Sequence, residues 1–89
     1  MKAIHISIYG EVHNVGFRDW AKIHALKFNL TGWVRKSADG SIEIFIQGED
    51  DHLNDLVSLC WDGPSRAYVD DVLVQDAISD NKFIEFNTI

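Results

Sequence analysis

Isoleucine recurs at every second position in two stretches of this chain, and this spacing constrains the fold more than any other feature. The residues are Ile4, Ile6 and Ile8 near the start, and Ile42, Ile44 and Ile46 in the middle. Successive side chains of a β-strand point to opposite faces. Each stretch therefore predicts a strand with one buried face and one exposed face.

A helix is predicted between these two strands. In Phe17–Phe28 apolar residues recur at intervals of three and four, which is the pattern of an amphipathic helix. Asn29 tolerates the left-handed conformation that ends many helices, so we expect the helix to end there. Leu30–Lys36 is predicted to form a second strand, and Ala38–Gly40 is typical of a hairpin turn leading into the next one.

The second half of the chain again predicts a helix followed by strands. Asp50 or Asp51 is expected to cap the helix, and Gly63–Pro64 to end it. In the fourth strand the apolar residues change from odd to even positions at Asp70–Asp71, which predicts a β-bulge. A short last strand is expected near Phe83–Asn87.

The order β-α-β-β-α-β predicts an α+β fold of the ferredoxin-like type, a sandwich of one antiparallel sheet with two helices on one face. The 89 residues suffice for one small domain, predicted to span residues 1–89. The only cysteine, Cys60, allows neither an internal disulfide nor a cysteine zinc site, and the four histidines lack metal-site spacing. No stretch approaches the ~20 apolar residues of a membrane helix. We therefore expect a cytoplasmic monomer without bound metal.

Charge is distributed unevenly along the chain. The net charge of −6 argues against a general nucleic-acid binder, which needs a cationic surface. Residues 1–40 carry six Lys or Arg and three acids, a net charge of +3, whereas residues 41–89 carry two bases and eleven acids, a net charge of −9. A small anionic ligand is therefore expected in the first half.

The segment Gly10–Arg18 joins the first strand to the first turn of the first helix. Such a loop presents unpaired backbone N–H groups, and the positive end of the helix dipole adds to their attraction for an anion. Arg18 favours this interpretation, because a cation at a helix N-terminus is unfavourable by roughly 0.3–1 kcal/mol unless an anion offsets it. The alternative is that Arg18 is solvated beside Asp19 on a loop that binds nothing.

Three sequence blocks point to one family. Gly10–Arg18 has the pattern Gly-x-Val-x-x-Val-Gly-Phe-Arg, Gly32–Arg35 reads Gly-Trp-Val-Arg and is followed by Asp39–Gly40, and Gly63–Val69 has the pattern Gly-Pro-x-x-Ala-x-Val. In this order, and across nearly the whole chain, the blocks resemble the signatures of the acylphosphatases.

The resemblance implies an enzyme that hydrolyses the carboxyl-phosphate bond of small acyl phosphates, without metal, cofactor or covalent intermediate. Backbone N–H groups of the loop and the guanidinium of Arg18 would hold the phosphate, and inorganic phosphate would bind there as well. The phosphate-binding residues so implied are His13, Asn14, Val15, Gly16, Phe17 and Arg18.

The residue after the Gly-Trp-Val-Arg block departs from the family pattern. The family has an Asn there that orients the attacking water, and this chain has Lys36. An amide oxygen can accept a water proton, whereas a lysine ammonium has three donors and no acceptor. Lys36 is therefore expected to slow turnover while its charge favours anion binding. His13 and Asn14 replace the family's Gln and Gly, and Asn14 can adopt a positive φ.

Two other classes of function remain open at this point. The first is a binding or regulatory domain that keeps the anion site and has lost turnover, as Lys36 suggests. The second is a purely structural partner module, for which the acidic second half is the only support.

Overall fold

A computed structural model of the chain describes residues 2–78 and 83–89. Its elements follow the predicted order, including the short last strand, which spans residues 86–88 rather than 83–87. They are β1 (Lys2–Glu11), α1 (Phe17–Lys27), β2 (Thr31–Lys36), β3 (Ile42–Gly48), α2 (Asp50–Cys60), β4 (Tyr68–Ala77) and β5 (Phe86–Thr88). The ferredoxin-like fold class is therefore confirmed.

The strands form one sheet in the order β4-β1-β3-β2-β5. The neighbouring pairs among β1 to β4 are antiparallel. β5, in contrast, runs parallel to β2, with Val34 opposite Thr88, so the sheet is not antiparallel throughout as predicted. β5 lies beside β2, at the edge of the sheet opposite β4. The Ile89 N–H donates to the Val34 carbonyl at 2.9 Å and fixes the end of β5.

The core lies between the sheet and the two helices. All six alternating isoleucines are at most 4% exposed, as their spacing predicts. α1 packs on β2 and β5, whereas α2 packs on β1, β3 and β4. The helices bury Phe17, Ala21 and Ala25 from α1, and Leu53, Leu56 and Cys60 from α2. Neither helix is long and apolar enough to cross a bilayer.

The first helix ends as predicted, but the second begins differently. Asn29 has a φ of 56°, and the following Leu30 N–H donates to the Ala25 carbonyl at 2.9 Å. The N-cap of α2 is Glu49 rather than an aspartate, and no side chain caps it. Asp50 and Asp51 occupy the first turn instead, where their charges interact favourably with the helix dipole.

The predicted bulge is present where β1 and β4 pair. Tyr9 lies opposite Asp71 and Gly10 opposite Val69, so Asp70 is the additional residue. Gly10 has a φ of 131°, and a Cβ atom there would collide with the backbone of Tyr68 and Asp70. This close approach requires glycine at the point where β1 leads into the following loop.

The sheet face opposite the helices carries an aromatic cluster that the sequence analysis missed. The rings of Trp33 and Phe45 stack with 6.0 Å between centroids. Arg35 lies over the Trp33 ring at 5.1 Å, and its guanidinium binds the Glu43 carboxylate at 3.0 Å. The cluster combines residues of the neighbouring strands β2 and β3. The sequence of either strand alone therefore does not reveal how aromatic this face is.

Candidate active site

The loop between β1 and α1 places unpaired backbone donors at one end of the sheet. Gly16 is the N-cap of α1, with a φ of 78° and no side-chain capping bond, and Asn14 has a φ of 58°. The first N–H bonded within the helix region is that of Trp20, which donates to the Gly16 carbonyl at 3.0 Å. The N–H groups at the start of α1 are therefore free of the helical ladder and can face an anion.

A cavity of about 230 Å³ opens at this loop. Six of the residues predicted from the sequence line it. The complete lining is Val12, His13, Asn14, Gly16, Phe17, Arg18, Asp19, Lys36, Ile42 and Thr88. Val15 is absent from the lining because its side chain packs against the core. A bond from its backbone N–H to phosphate stays a prediction.

The hairpin between β2 and β3 brings Lys36 to the cavity. Lys36 is the last residue of β2 and lies opposite Ile42, the first residue of β3. The predicted turn between them is closed by the Ser37 N–H, which donates to the Ser41 carbonyl at 2.8 Å. The Asp39 carboxylate accepts bonds from the Ser41 hydroxyl at 2.7 Å and from its N–H at 3.0 Å. The hydrogen bond from the Ser41 hydroxyl is the main reason why the pKa of Asp39 lies below its usual value.

Three charged side chains meet at the cavity without neutralising one another. Arg18, Asp19 and Lys36 all line it, and within residues 2–78 and 83–89 none of them forms a salt bridge. Two cations and the positive end of α1 thus surround a space that one carboxylate shares. The balance of charge favours an anionic ligand.

His13 contributes an unusual polar atom to this region. Its Nε2 is buried and, in the part of the chain that the structure describes, is the one buried side-chain polar atom without a hydrogen-bond partner. A buried donor or acceptor without a partner is costly. Because His13 also lines the cavity, a ligand bound there is a candidate partner for this atom.

The cavity also contains residues that sequence reasoning did not select. Thr88 reaches it because β5 pairs with β2, and Asp19 reaches it from the first turn of α1. Neither residue belongs to a recognisable block of the sequence. The patterns of β5 and α1 gave no signal for them, since a three-residue strand and a single helix-surface acid carry little periodicity.

Other titratable groups have structural environments. Burial raises the pKa of the Cys60 thiol to about 12, so this cysteine is a core residue and not a nucleophile at neutral pH. Burial, together with the charge of Lys27, lowers the pKa of His24, whose ring lies 4.7 Å from that of Trp20. Among the described residues, no three His, Cys, Asp or Glu side chains are grouped to hold a metal ion.

Comparison with known proteins agrees with the blocks found in the sequence. The family model described as acylphosphatase matches residues 4–88. An acylphosphatase of Alcanivorax borkumensis is 41% identical over 81 residues, which are 91% of this chain and 88% of that protein. The crystal structure of acylphosphatase from Bacillus subtilis has a TM-score of 0.95 at 30% identity, covering 100% of this chain and 99% of that one. An acylphosphatase structure from Coxiella burnetii has a TM-score of 0.94 at 30% identity and covers 99% and 92% of the two chains. This chain therefore belongs to the acylphosphatase family.

Proposed function

We propose that this chain hydrolyses acyl phosphates to a carboxylate and phosphate, at a rate that Lys36 limits. Family and fold support the acyl phosphate hydrolase activity. We assign this activity to the cavity that Arg18, Lys36 and the N-terminus of α1 line together, and this arrangement is the main observation that supports the proposal. In this proposal residues 1–89 act as one monomeric, cytoplasmic domain that needs no metal or cofactor.

Phosphate binding follows from the groups that surround the cavity. The backbone N–H groups of the loop and of the first turn of α1 donate to phosphate oxygens. The planar guanidinium of Arg18 binds two oxygens at once, and it follows the charge that builds on the transferring phosphoryl group. The leaving carboxylate is a weak base, so positioning and charge stabilisation suffice without a strong general acid.

Turnover depends on the orientation of the attacking water. A water molecule attacks phosphorus best when its protons are held by acceptors and a lone pair points at the phosphorus atom. The Lys36 ammonium donates to that lone pair instead. We therefore propose that Lys36 preserves binding and slows hydrolysis.

The test is turnover of benzoyl phosphate, followed by absorbance, with inorganic phosphate as competitor. We expect competitive inhibition, and we expect Arg18→Ala to lower kcat/KM by at least about 100-fold, since bonds to a charged group contribute ~1.5–3 kcal/mol each. Arg66→Ala is the matched control, because Arg66 is exposed and lies outside the cavity lining. Equal activity of the two variants would remove Arg18 from the reaction.

A second candidate function is an anion-binding domain with no useful turnover, and Lys36 at the cavity is the observation that favours it. Calorimetry with inorganic phosphate separates the two. Saturable, Arg18-dependent binding without benzoyl phosphate hydrolysis supports the binding domain. Binding together with Arg18-dependent hydrolysis supports the enzyme.

A further inference from the structure

Asp19 has no place in a simple anion site. Asp19 lies in the first turn of α1, is exposed to solvent and is one of the residues that line the cavity, together with Arg18 and Lys36. In the described ranges it forms no salt bridge with either cation. A carboxylate so placed repels the phosphate of a substrate.

The hydrogen-bond inventory of the cavity shows what this carboxylate can supply. The guanidinium of Arg18, the ammonium of Lys36 and the backbone N–H groups of the loop are donors only. An ionised Asp19 is an acceptor only, with two oxygens and about four lone-pair sites. The attacking water needs an acceptor for its protons, and Lys36 cannot provide one.

We propose that Asp19 positions the attacking water, in place of the amide oxygen that Lys36 does not supply. This inference rests on the proposed function. One water proton donates to the Asp19 carboxylate, which leaves a lone pair of the water oxygen directed at phosphorus. The new O–P bond forms as the bond from phosphorus to the acyl oxygen breaks, and the electron pair of that bond leaves with the carboxylate. Both water protons stay on the phosphate, which departs as dihydrogen phosphate.

Three other side chains of the cavity contain an acceptor, and each is less suited to this role. The His13 imidazole, when neutral, offers a single uncharged acceptor nitrogen. Thr88 has a neutral hydroxyl, and hydrogen bonds to an ionised acceptor are roughly twice as strong as those to a neutral one. Asn14 belongs to the tight part of the loop, at a φ of 58°, where the backbone donors gather to bind phosphate. Asp19 combines a charged acceptor with a place in the cavity lining.

The test compares Asp19→Asn with Asp19→Leu, two neutral side chains of similar size that differ in carrying an acceptor. In benzoyl phosphate hydrolysis we expect kcat of Asp19→Leu to fall by about 10- to 100-fold, and kcat of Asp19→Asn to stay about tenfold above it. Both variants lose the negative charge, so inorganic phosphate should bind about two- to fivefold more tightly to each. If Asp19 had only a structural role, both variants would be less stable, and kcat and the affinity for phosphate would decrease together.

Two further variants complete the experiment. Asp55→Leu on the exposed surface of α2 is the control for removing a helix carboxylate outside the cavity, and its kcat should match that of the wild type. In the Lys36→Asn variant an amide supplies the acceptor. Adding Asp19→Leu to that variant should therefore lower kcat by about threefold or less.

The inference is overturned if Asp19→Leu and Asp19→Asn turn over equally fast, or if Thr88→Val lowers kcat and Asp19→Leu does not. Either result would leave Arg18-dependent hydrolysis intact, so the proposed function would stand. Absence of Arg18-dependent hydrolysis in the wild type would instead reject the proposed function, and this inference with it.

Discussion

In the reaction that we propose, Lys36 limits the rate, because its charge favours an anion whereas its ammonium offers the attacking water no acceptor. We expect Lys36→Asn to raise kcat on benzoyl phosphate by about tenfold, since the amide oxygen accepts a water proton and frees the lone pair that attacks phosphorus. KM should change by less than about threefold, because Arg18 and the backbone donors keep their contacts. Steady-state kinetics of the purified variants measures both constants.

The Lys36→Met variant distinguishes the effect of gaining an amide from the effect of losing the positive charge. Methionine keeps the length of the lysine side chain without its donors, so its kcat should remain clearly below that of Lys36→Asn. A wild-type enzyme that is faster than Lys36→Asn would contradict the role assigned to Lys36. It would show that the ammonium assists the reaction in this chain.

Sequence reasoning succeeded for residues inside recognisable blocks and failed for those outside them. Arg18, Lys36 and the positive φ of Asn14 followed from the blocks and from side-chain chemistry, and the structure places all three at the cavity. Asp19 was considered only as the neighbour of Arg18. Thr88 gave no signal, because its place in the cavity depends on a pairing between strands that lie about fifty residues apart in the chain.

The bulge between β1 and β4 lies where the loop between β1 and α1 begins, and Gly10 makes the bulge possible. We expect Gly10→Ala to lower the free energy of unfolding by at least about 3 kcal/mol, because the added Cβ meets the backbone of Tyr68 and Asp70, which cannot yield as a flexible side chain does. Thermal unfolding should show a decrease in Tm of well over 10 °C, at about 4–8 °C per kcal/mol for a domain of this size.

Gly40→Ala is the matched control for this substitution. Gly40 also has a positive φ, of 93°, but no atom lies within 4 Å of a Cβ built there. Gly40→Ala should therefore lower the free energy of unfolding only through the unfavourable backbone conformation, by about 1–2 kcal/mol. Equal losses in the two variants would show that the collision contributes nothing and that conformation alone selects glycine at the bulge.

Elements with strong periodicity and the end of α1 were predictable, whereas the start of α2 and the direction of the last strand were not. The alternating isoleucines and the three-and-four spacing of α1 depend on local geometry that the sequence records directly. The parallel direction of β5 follows from its pairing with β2, a strand about fifty residues earlier in the chain, which no local pattern records. The cap of α2 fell on Glu49 because the extended backbone ends there, although Asp50 is the better capping residue by type.

The two halves of the chain serve different purposes in the whole molecule. The cationic residues 1–40 contain Arg18, Lys36 and the loop between β1 and α1, whereas the acidic residues 41–89 supply β3, α2, β4 and β5, which complete the core. The net charge of −6 describes neither half. Because the core is shared, a ligand at the first half stabilises the entire fold.

Cys60 provides a direct measure of this coupling. It is the only cysteine, is fully buried on α2, and burial raises the pKa of its thiol to about 12. Labelling by a thiol reagent at pH 8 should therefore require unfolding, with a rate proportional to the unfolded population when labelling is slow relative to refolding. At a phosphate concentration of about 100 times Kd the native state gains ~2.7 kcal/mol, so labelling should slow by about 100-fold.

Arg18→Ala makes the same experiment specific for the cavity. Without the guanidinium, phosphate should lose most of its protective effect, while a matched concentration of chloride at equal ionic strength should protect neither protein. Labelling that is fast in the wild type and insensitive to phosphate would mean that Cys60 is reached by a local opening of α2, with no coupling to the loop. Slow labelling with full protection in Arg18→Ala would place phosphate binding elsewhere, because a ligand stabilises the fold only through the contacts that it makes with the native state.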